Sequence, residues 1–176
     1  MDKKKMRKIM KEKRLLMEQE TFLLHSQIII QKVQQHSYYK KAKIIGIYVS
    51  LPGEVNTFPL IQQALKSHCV CVPKIINDEM EFYYIHSLND LKEGTFHVLE
   101  PTTNQIANIQ DIDLMIVPML AFDNQNYRVG YGKGFYDKYF AKGYMGYKLG
   151  LAFSYQKVDK IDINEYDLPL DEILCE

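Results

Sequence analysis

A chain of 176 residues, 47% hydrophobic and 25% charged, is long enough for one domain with a sizeable core and has an ordinary globular composition. Its 22 basic and 22 acidic side chains cancel, which excludes a global attraction to nucleic acid or to an anionic membrane surface. No apolar run is long enough to cross a bilayer, and three cysteines without a secretory leader point to a reducing, cytoplasmic setting.

The first elements read as helices. Met6, Ile9, Met10, Lys13 and Met17 sit near helical spacing, with basic residues between them. Lys3 and Arg7 are four apart and share a face. A second helix is expected from about Glu20 to His36, with a break near Met17–Thr21. Ile44–Val49 reads as a buried strand, ended by Ser50-Leu-Pro-Gly53. Thr57 is the expected N-cap of a helix that carries Pro59 in its first turn and runs to about Ser67. Cys69–Ile75 alternates as a second strand with both thiols on one face, small buried residues rather than a metal or redox pair. Asn77-Asp78 marks a turn into a third strand, Met80–Ile85. Lys92–Asp111 has no strong period and is expected to cover an edge or a site. Leu114–Pro118 and Tyr147–Phe153 read as the fourth and fifth strands, separated by a helix over Phe135–Ala141. The alternation predicts an α/β fold: three layers, a mostly parallel sheet flanked by helices, and an N-terminal helical segment. Without a repeat or linker, residues 1–176 read as a single domain.

The most informative stretch is Arg128-Val-Gly-Tyr-Gly-Lys-Gly-Phe-Tyr-Asp137. Alternating glycines let backbone approach a ligand and adopt positive φ, and successive amides before a helix make a concavity for an anion. Arg128 and Lys133 supply positive charge, and Asp137 can hold a metal. The stretch is not a Walker A loop, because Gly134 and Phe135 follow Lys133 where a hydroxyl is needed for magnesium. Nor is it the dinucleotide fingerprint, because Phe135 takes the third glycine's place. The competing reading is a plain glycine-rich turn, which the flanking charges disfavour.

Elsewhere local chemistry leaves alternatives open. Glu54 follows a predicted strand end, where open α/β sheets gather ligands, but a solvated loop carboxylate fits equally. Tyr48 reads as core. The lysine-rich start reads as a solvated face, with phosphate binding as the sharper alternative. Asp167 and Asp171 flank Pro169 in an acidic tail, and either could join Asp137 on a cation. The five histidines show no ligand or triad spacing.

Several separated segments nevertheless resemble one family in order along the chain. They are Lys3-Lys-Lys-Met-Arg7, Tyr48-Val-Ser-Leu-Pro-Gly-Glu-Val-Asn-Thr57, Gly94-Thr-Phe-His-Val-Leu-Glu-Pro101, Val117 through Asp137, and Tyr166-Asp-Leu-Pro-Leu-Asp-Glu-Ile173. The chain resembles the 5-formyltetrahydrofolate cyclo-ligase, or methenyltetrahydrofolate synthetase, family. That resemblance implies ATP- and magnesium-dependent cyclisation of 5-formyltetrahydrofolate to 5,10-methenyltetrahydrofolate through a phosphorylated formyl group. It implies that Lys3, Arg7, Arg128, Val129, Gly130, Tyr131, Gly132, Lys133, Gly134, Phe135 and Tyr136 surround the nucleotide, with Arg128 and Lys133 acting in catalysis. Val49 and Glu54, with Tyr131, Gly132, Lys133, Gly134 and Phe135, would meet the folate. Asp137 and Asp167 would hold magnesium. The implied protein is a cytoplasmic monomer whose partner is the folate, with or without a polyglutamate tail, and not nucleic acid or membrane. Tyr131 stands where some members have Arg, Phe135 where Tyr is common, and Asn126 where Gly is common; Asn tolerates the left-handed region. On the residues alone, an isomerase of sugar phosphates and a non-catalytic nucleotide or RNA module are the competing classes.

Overall fold

The computed structural model describes residues 1–176, the side chain of Thr95 apart. Two helices open the chain, α1 (Lys3–Leu15) and α2 (Gln19–Gln35), followed by a short α3 (Ser37–Lys41). Asp2 caps α1, its carboxylate accepting the Lys5 N–H at 2.8 Å. Met6 and Met10 are the side chains α1 buries, while Lys4, Lys5, Lys8, Lys11 and Lys13 remain exposed. The break between α1 and α2 falls at the early end of the expected interval.

The strands follow as β1 (Ile44–Ile47), β2 (Cys69–Ile76), β3 (Glu79–Ile85), β4 (Leu91–Glu93) and β5 (Leu99–Pro101). Then come β6 (Leu114–Val117), β7 (Ala121–Phe122), β8 (Arg128–Val129), β9 (Tyr147–Leu151) and β10 (Glu172–Leu174). Six of them form one sheet in the order β10-β9-β6-β1-β2-β3, parallel except for the β2–β3 hairpin. The expected mostly parallel sheet between helical layers is therefore present. α4 (Phe58–Ala64) crosses from β1 to β2, and α5 (Phe135–Ala141) lies between β6 and β9.

Strand alternation divides the core between the two faces. Ile45, Ile47, Leu114 and Ile116 pack with Ile29 and Val33 of α2 and Leu60 and Ile61 of α4. Their neighbours Met115 and Val117 point the other way and pack with Tyr139 and Phe140 of α5. A third cluster joins Met6 and Met10 of α1 to Leu120, Ala121 and Val129 of the β7–β8 hairpin. That cluster docks the basic first helix beside the glycine-rich stretch.

Several local expectations need correction. α4 ends at Ala64 rather than near Ser67, because tighter bonds such as Ser67 N–H to Ala64 O at 3.1 Å close its last turn. Thr57 occupies the N-cap position, but its hydroxyl is used elsewhere. It donates to Tyr48 O at 2.7 Å and accepts the Ser50 N–H at 3.1 Å, tying the helix start to the end of β1. Cys71 is buried, its thiol 3.6 Å from Ile45 O, whereas Cys69 is exposed because it begins its strand. The segment 92–111 contains the β4–β5 hairpin, and β5 lies against β2 and β3. Asn77 and Asp78 both take positive φ (52° and 59°) in the expected turn.

Candidate active site

β1 is the point where the chain changes direction in the sheet. From it the fold proceeds through α4 to β2 on one side, and later returns to β6 on the other. Loops leaving adjacent strands at such a point diverge and leave a crevice beyond the carboxyl ends. A cavity of about 990 Å³ occupies this position. Tyr48, Val49, Leu51 and Glu54 line it from the end of β1, and Pro118 from the end of β6. All the residues expected at the site line it: Lys3, Arg7, Val49, Glu54, Arg128 through Asp137, and Asp167. Asp171 does not; it is exposed, and its carboxylate accepts the Lys148 N–H at 2.8 Å.

Glu54 is a buried acid, 5% exposed, and not a solvated loop residue. The turn Ser50–Gly53 folds its carboxylate back so that Oε1 accepts the Leu51 N–H at 2.7 Å. Oε2 accepts from the Tyr131 hydroxyl at 3.2 Å, and that hydroxyl accepts from Arg14 Nη1 at 2.9 Å. Burial raises the Glu54 pKa, against the opposing pull of the Leu51 amide, Arg14 and Tyr131. Tyr48 is core, as read, with its hydroxyl donating to Val55 O at 2.9 Å, but one face of it also borders the cavity.

The glycine-rich stretch is positioned by the β7–β8 hairpin. Buried Asp123 organises that turn, its Oδ1 accepting the Gln125 and Tyr127 N–H groups at 2.9 and 3.1 Å. Asn126 takes φ 65°, so the left-handed residue expected there is present. Beyond β8 the chain needs positive φ at Gly132 (105°) and Gly134 (66°), the latter starting α5. Arg7 Nε donates to Gly130 O at 2.8 Å, which fastens the loop to α1. Val129 is buried with Met6 and Met10, so its side chain serves this docking.

Charged groups of both signs converge on the loop. The Lys3 ammonium pairs with the Asp167 carboxylate, joining the basic start to the acidic tail. Asp167 also accepts the Asn164 N–H at 2.8 Å, and Asp137 accepts the Leu168 N–H at 3.4 Å. Arg128 lies 5.1 Å above the Tyr136 ring, donates to Pro118 O at 3.4 Å, and leaves its Nε buried without a partner. Burial lowers its pKa against the pull of Asp137, Tyr136 and Asp167. A buried guanidinium with an unpaired Nε–H retains a donor with no protein partner. Lys133 is exposed, its ammonium 5.7 Å from the Phe96 ring.

A family model described as the 5-formyltetrahydrofolate cyclo-ligase family matches residues 1–176. The chain belongs to this family. The mouse 5-formyltetrahydrofolate cyclo-ligase is 28% identical over 99% of this chain and 93% of its own length. A cyclo-ligase of Haemophilus influenzae is 30% identical over 82% of this chain and 83% of its own. Among solved structures, the 5,10-methenyltetrahydrofolate synthetase of Aquifex aeolicus superposes with a TM-score of 0.89. The two are 33% identical, over 98% of this chain and 89% of that one. The Mycoplasma pneumoniae synthetase superposes with a TM-score of 0.82 at 29% identity over 99% of each.

Membership in the cyclo-ligase family does not by itself name every wall of the cavity. Pro73, Ile75 and Met80 of the β2–β3 hairpin, with Phe96, Val98 and Glu100, form a largely apolar side that sequence reading missed. The expectation that segment 92–111 covers a site was the nearest signal. Arg14 was missed as well, although it lies seven residues, two helical turns, beyond Arg7 on the same face of α1.

Proposed function

We propose that this chain uses ATP to cyclise 5-formyltetrahydrofolate to 5,10-methenyltetrahydrofolate, releasing ADP and phosphate. The observation that carries the reading is the single cavity that joins a cationic, glycine-rich end to an apolar end holding a buried carboxylate. A phosphoryl donor suits the first end. A flat heterocycle with N–H donors suits the second, where Val49, Leu51 and Ile75 offer apolar contact and Glu54 an acceptor.

A formamide is unreactive because its oxygen would leave as hydroxide. Attack of the formyl oxygen on the γ-phosphorus, in line with departing ADP, makes that oxygen part of a phosphate ester on an iminium carbon. N10 of the folate then bonds to this carbon, loses its proton, and expels inorganic phosphate. The protein's task is positioning and charge neutralisation, with no covalent nucleophile required. We assign the transferring group to the end of the cavity lined by Lys3, Arg7, Arg128 and Lys133 and by loop backbone from Gly130 to Tyr136.

The donor set fits magnesium. Among the described residues no three His, Cys, Asp or Glu side chains form a ready cage. Magnesium is commonly held by one or two carboxylates, with phosphates and water completing its shell. Asp137 and Asp167 supply two such carboxylates beside the cationic loop. The metal would supply charge neutralisation on the phosphates.

Among the described residues no helix is long and apolar enough to cross a membrane. We read the protein as a cytoplasmic, monomeric, single-domain enzyme whose site is complete within one chain. The test follows the absorbance of the methenyl product with 5-formyltetrahydrofolate, ATP and magnesium, each omitted in turn. Product is expected with all three present; product without ATP overturns the ligase reading. The competing isomerase would consume no ATP.

A further inference from the structure

Arg14 has no place in the reaction as written, yet the fold goes to some length to seat it. Its stem lies across Gly53, the residue before Glu54. Gly53 has φ 86°, and a Cβ there would sit 2.2 Å from Arg14 Cδ, so the backbone conformation and the space both require glycine. The guanidinium lies 5.8 Å from the centre of the Tyr131 ring and donates to its hydroxyl at 2.9 Å. The same hydroxyl donates to Glu54 Oε2 at 3.2 Å. Donor, relay and acceptor thus run from α1 through the glycine loop to the end of β1. Arg14 Nε is buried without a partner.

We infer that Arg14 is a positioning residue for the folate subsite, acting through the Tyr131 hydroxyl to orient the Glu54 carboxylate. This rests on the reading of Glu54 as the group that meets the heterocycle. Each carboxylate oxygen has two acceptor sites. The Leu51 amide and the Tyr131 hydroxyl take one site on each oxygen, which fixes the carboxylate plane while leaving capacity for the N–H groups of a ligand. A buried carboxylate tends to take up a proton, and a protonated Glu54 would be a poorer acceptor. Burial is the larger influence on Glu54 and raises its pKa; Arg14 and Tyr131 pull it down. Burial likewise opposes the charge on Arg14, but Tyr131 and Glu54 outweigh it and raise its pKa. The other ionisable neighbours are Lys11, whose ammonium lies 5.8 Å from the centre of the Tyr131 ring, and the Tyr48, Tyr136 and Tyr155 phenols, of which Tyr155 faces Arg14. Burial raises the pKa of all three phenols, and Arg14 is the cation whose charge pulls the Glu54 pKa down.

The experiment compares Arg14→Met, Tyr131→Phe and the double variant with the wild-type enzyme. Arg14→Met should raise KM for 5-formyltetrahydrofolate about tenfold, the scale of a hydrogen bond to a charged group, with KM for ATP unchanged. The acid limb of kcat/KM for the folate should move to higher pH, since losing Arg14 lets the Glu54 pKa rise. Because part of Arg14's effect runs through the Tyr131 hydroxyl and part is the direct pull of its charge on Glu54, Arg14→Met should cost less in folate KM in the Tyr131→Phe background than in the wild-type enzyme. Equal changes in both KM values, an unmoved acid limb, or additive effects overturn the inference and leave Arg14 a tether of α1. A readout independent of activity separates this from the cyclo-ligase reading. The Glu54 carboxyl carbon, followed by NMR across pH, should titrate at higher pH in Arg14→Met. If the wild-type chain makes no methenyl product, that titration still decides whether Arg14 holds Glu54 charged.

Discussion

Lys3 and Asp167 form an ion pair across almost the whole length of the chain, with side-chain exposures of only 20% and 13%. The pair closes α1 onto the C-terminal segment at the edge of the cavity. In the proposed mechanism both groups have other work, Lys3 on phosphate and Asp167 on magnesium. The ion pair neutralises both charges where they meet.

Lys3→Met should leave Asp167 with its bond from Asn164 but no cation. A loss of about 1–3 kcal/mol is expected from a partly buried group deprived of its partner. Magnesium should raise Tm more in this variant than in the wild-type chain, because Asp167 no longer has to release Lys3. Thermal unfolding with and without magnesium checks this; identical magnesium responses would count against Asp167 as a ligand.

Asp137→Asn keeps the shape of the side chain and its bond from the Leu168 N–H. Metal assistance contributes several kcal/mol to phosphoryl transfer, so kcat should fall by on the order of 100-fold or more. Tm should change little. Wild-type turnover at saturating magnesium would remove Asp137 from the metal site.

Gly132→Ala separates conformation from space. A Cβ there would lie 3.5 Å from the Arg7 guanidinium carbon, an ordinary contact, but φ 105° is strained for any side chain. Such strain costs about 1–3 kcal/mol. Because the position lies on an exposed loop, the loop should rearrange before the core unfolds, and ATP affinity should fall more than Tm. Nucleotide titration beside thermal unfolding tests it, with unchanged ATP affinity as the contrary result.

Glu54→Gln should make the fold more stable at neutral pH while impairing folate binding. The sign follows from burial, which raises the Glu54 pKa above its ordinary 4.5. A carboxyl with a raised folded-state pKa stabilises the fold fully below its unfolded pKa and loses that contribution as pH rises through the folded value. Replacing it should therefore bring a gain at pH 7 that shrinks as pH falls toward the ordinary carboxylate range. Denaturant unfolding at several pH values measures the difference; a gain independent of pH would contradict the cause given.

The sequence was readable where the period was long or the spacing chemical. β1, β2, β3, β6, β9 and α5 all lie where apolar alternation or a helix start predicts them. β10 and the β7–β8 hairpin, two or three residues per strand, are too short to carry a period and are set by tertiary contacts. The glycine stretch and its charges pointed to an anion without help from the fold. Glu54 remained ambiguous because nothing local reveals that Tyr131 and Arg14, distant in sequence, would enclose it. The apolar wall of Ile75, Met80 and Phe96 was invisible for the same reason: ordinary residues become a site only through the position of the hairpins.

The most direct test of the account is the fate of the formyl oxygen. With 5-formyltetrahydrofolate labelled by heavy oxygen in the formyl group, attack of that oxygen on the γ-phosphate requires the label to appear in the released inorganic phosphate. One labelled oxygen per phosphate is expected for each methenyl product formed. Unlabelled phosphate alongside normal product formation would contradict it.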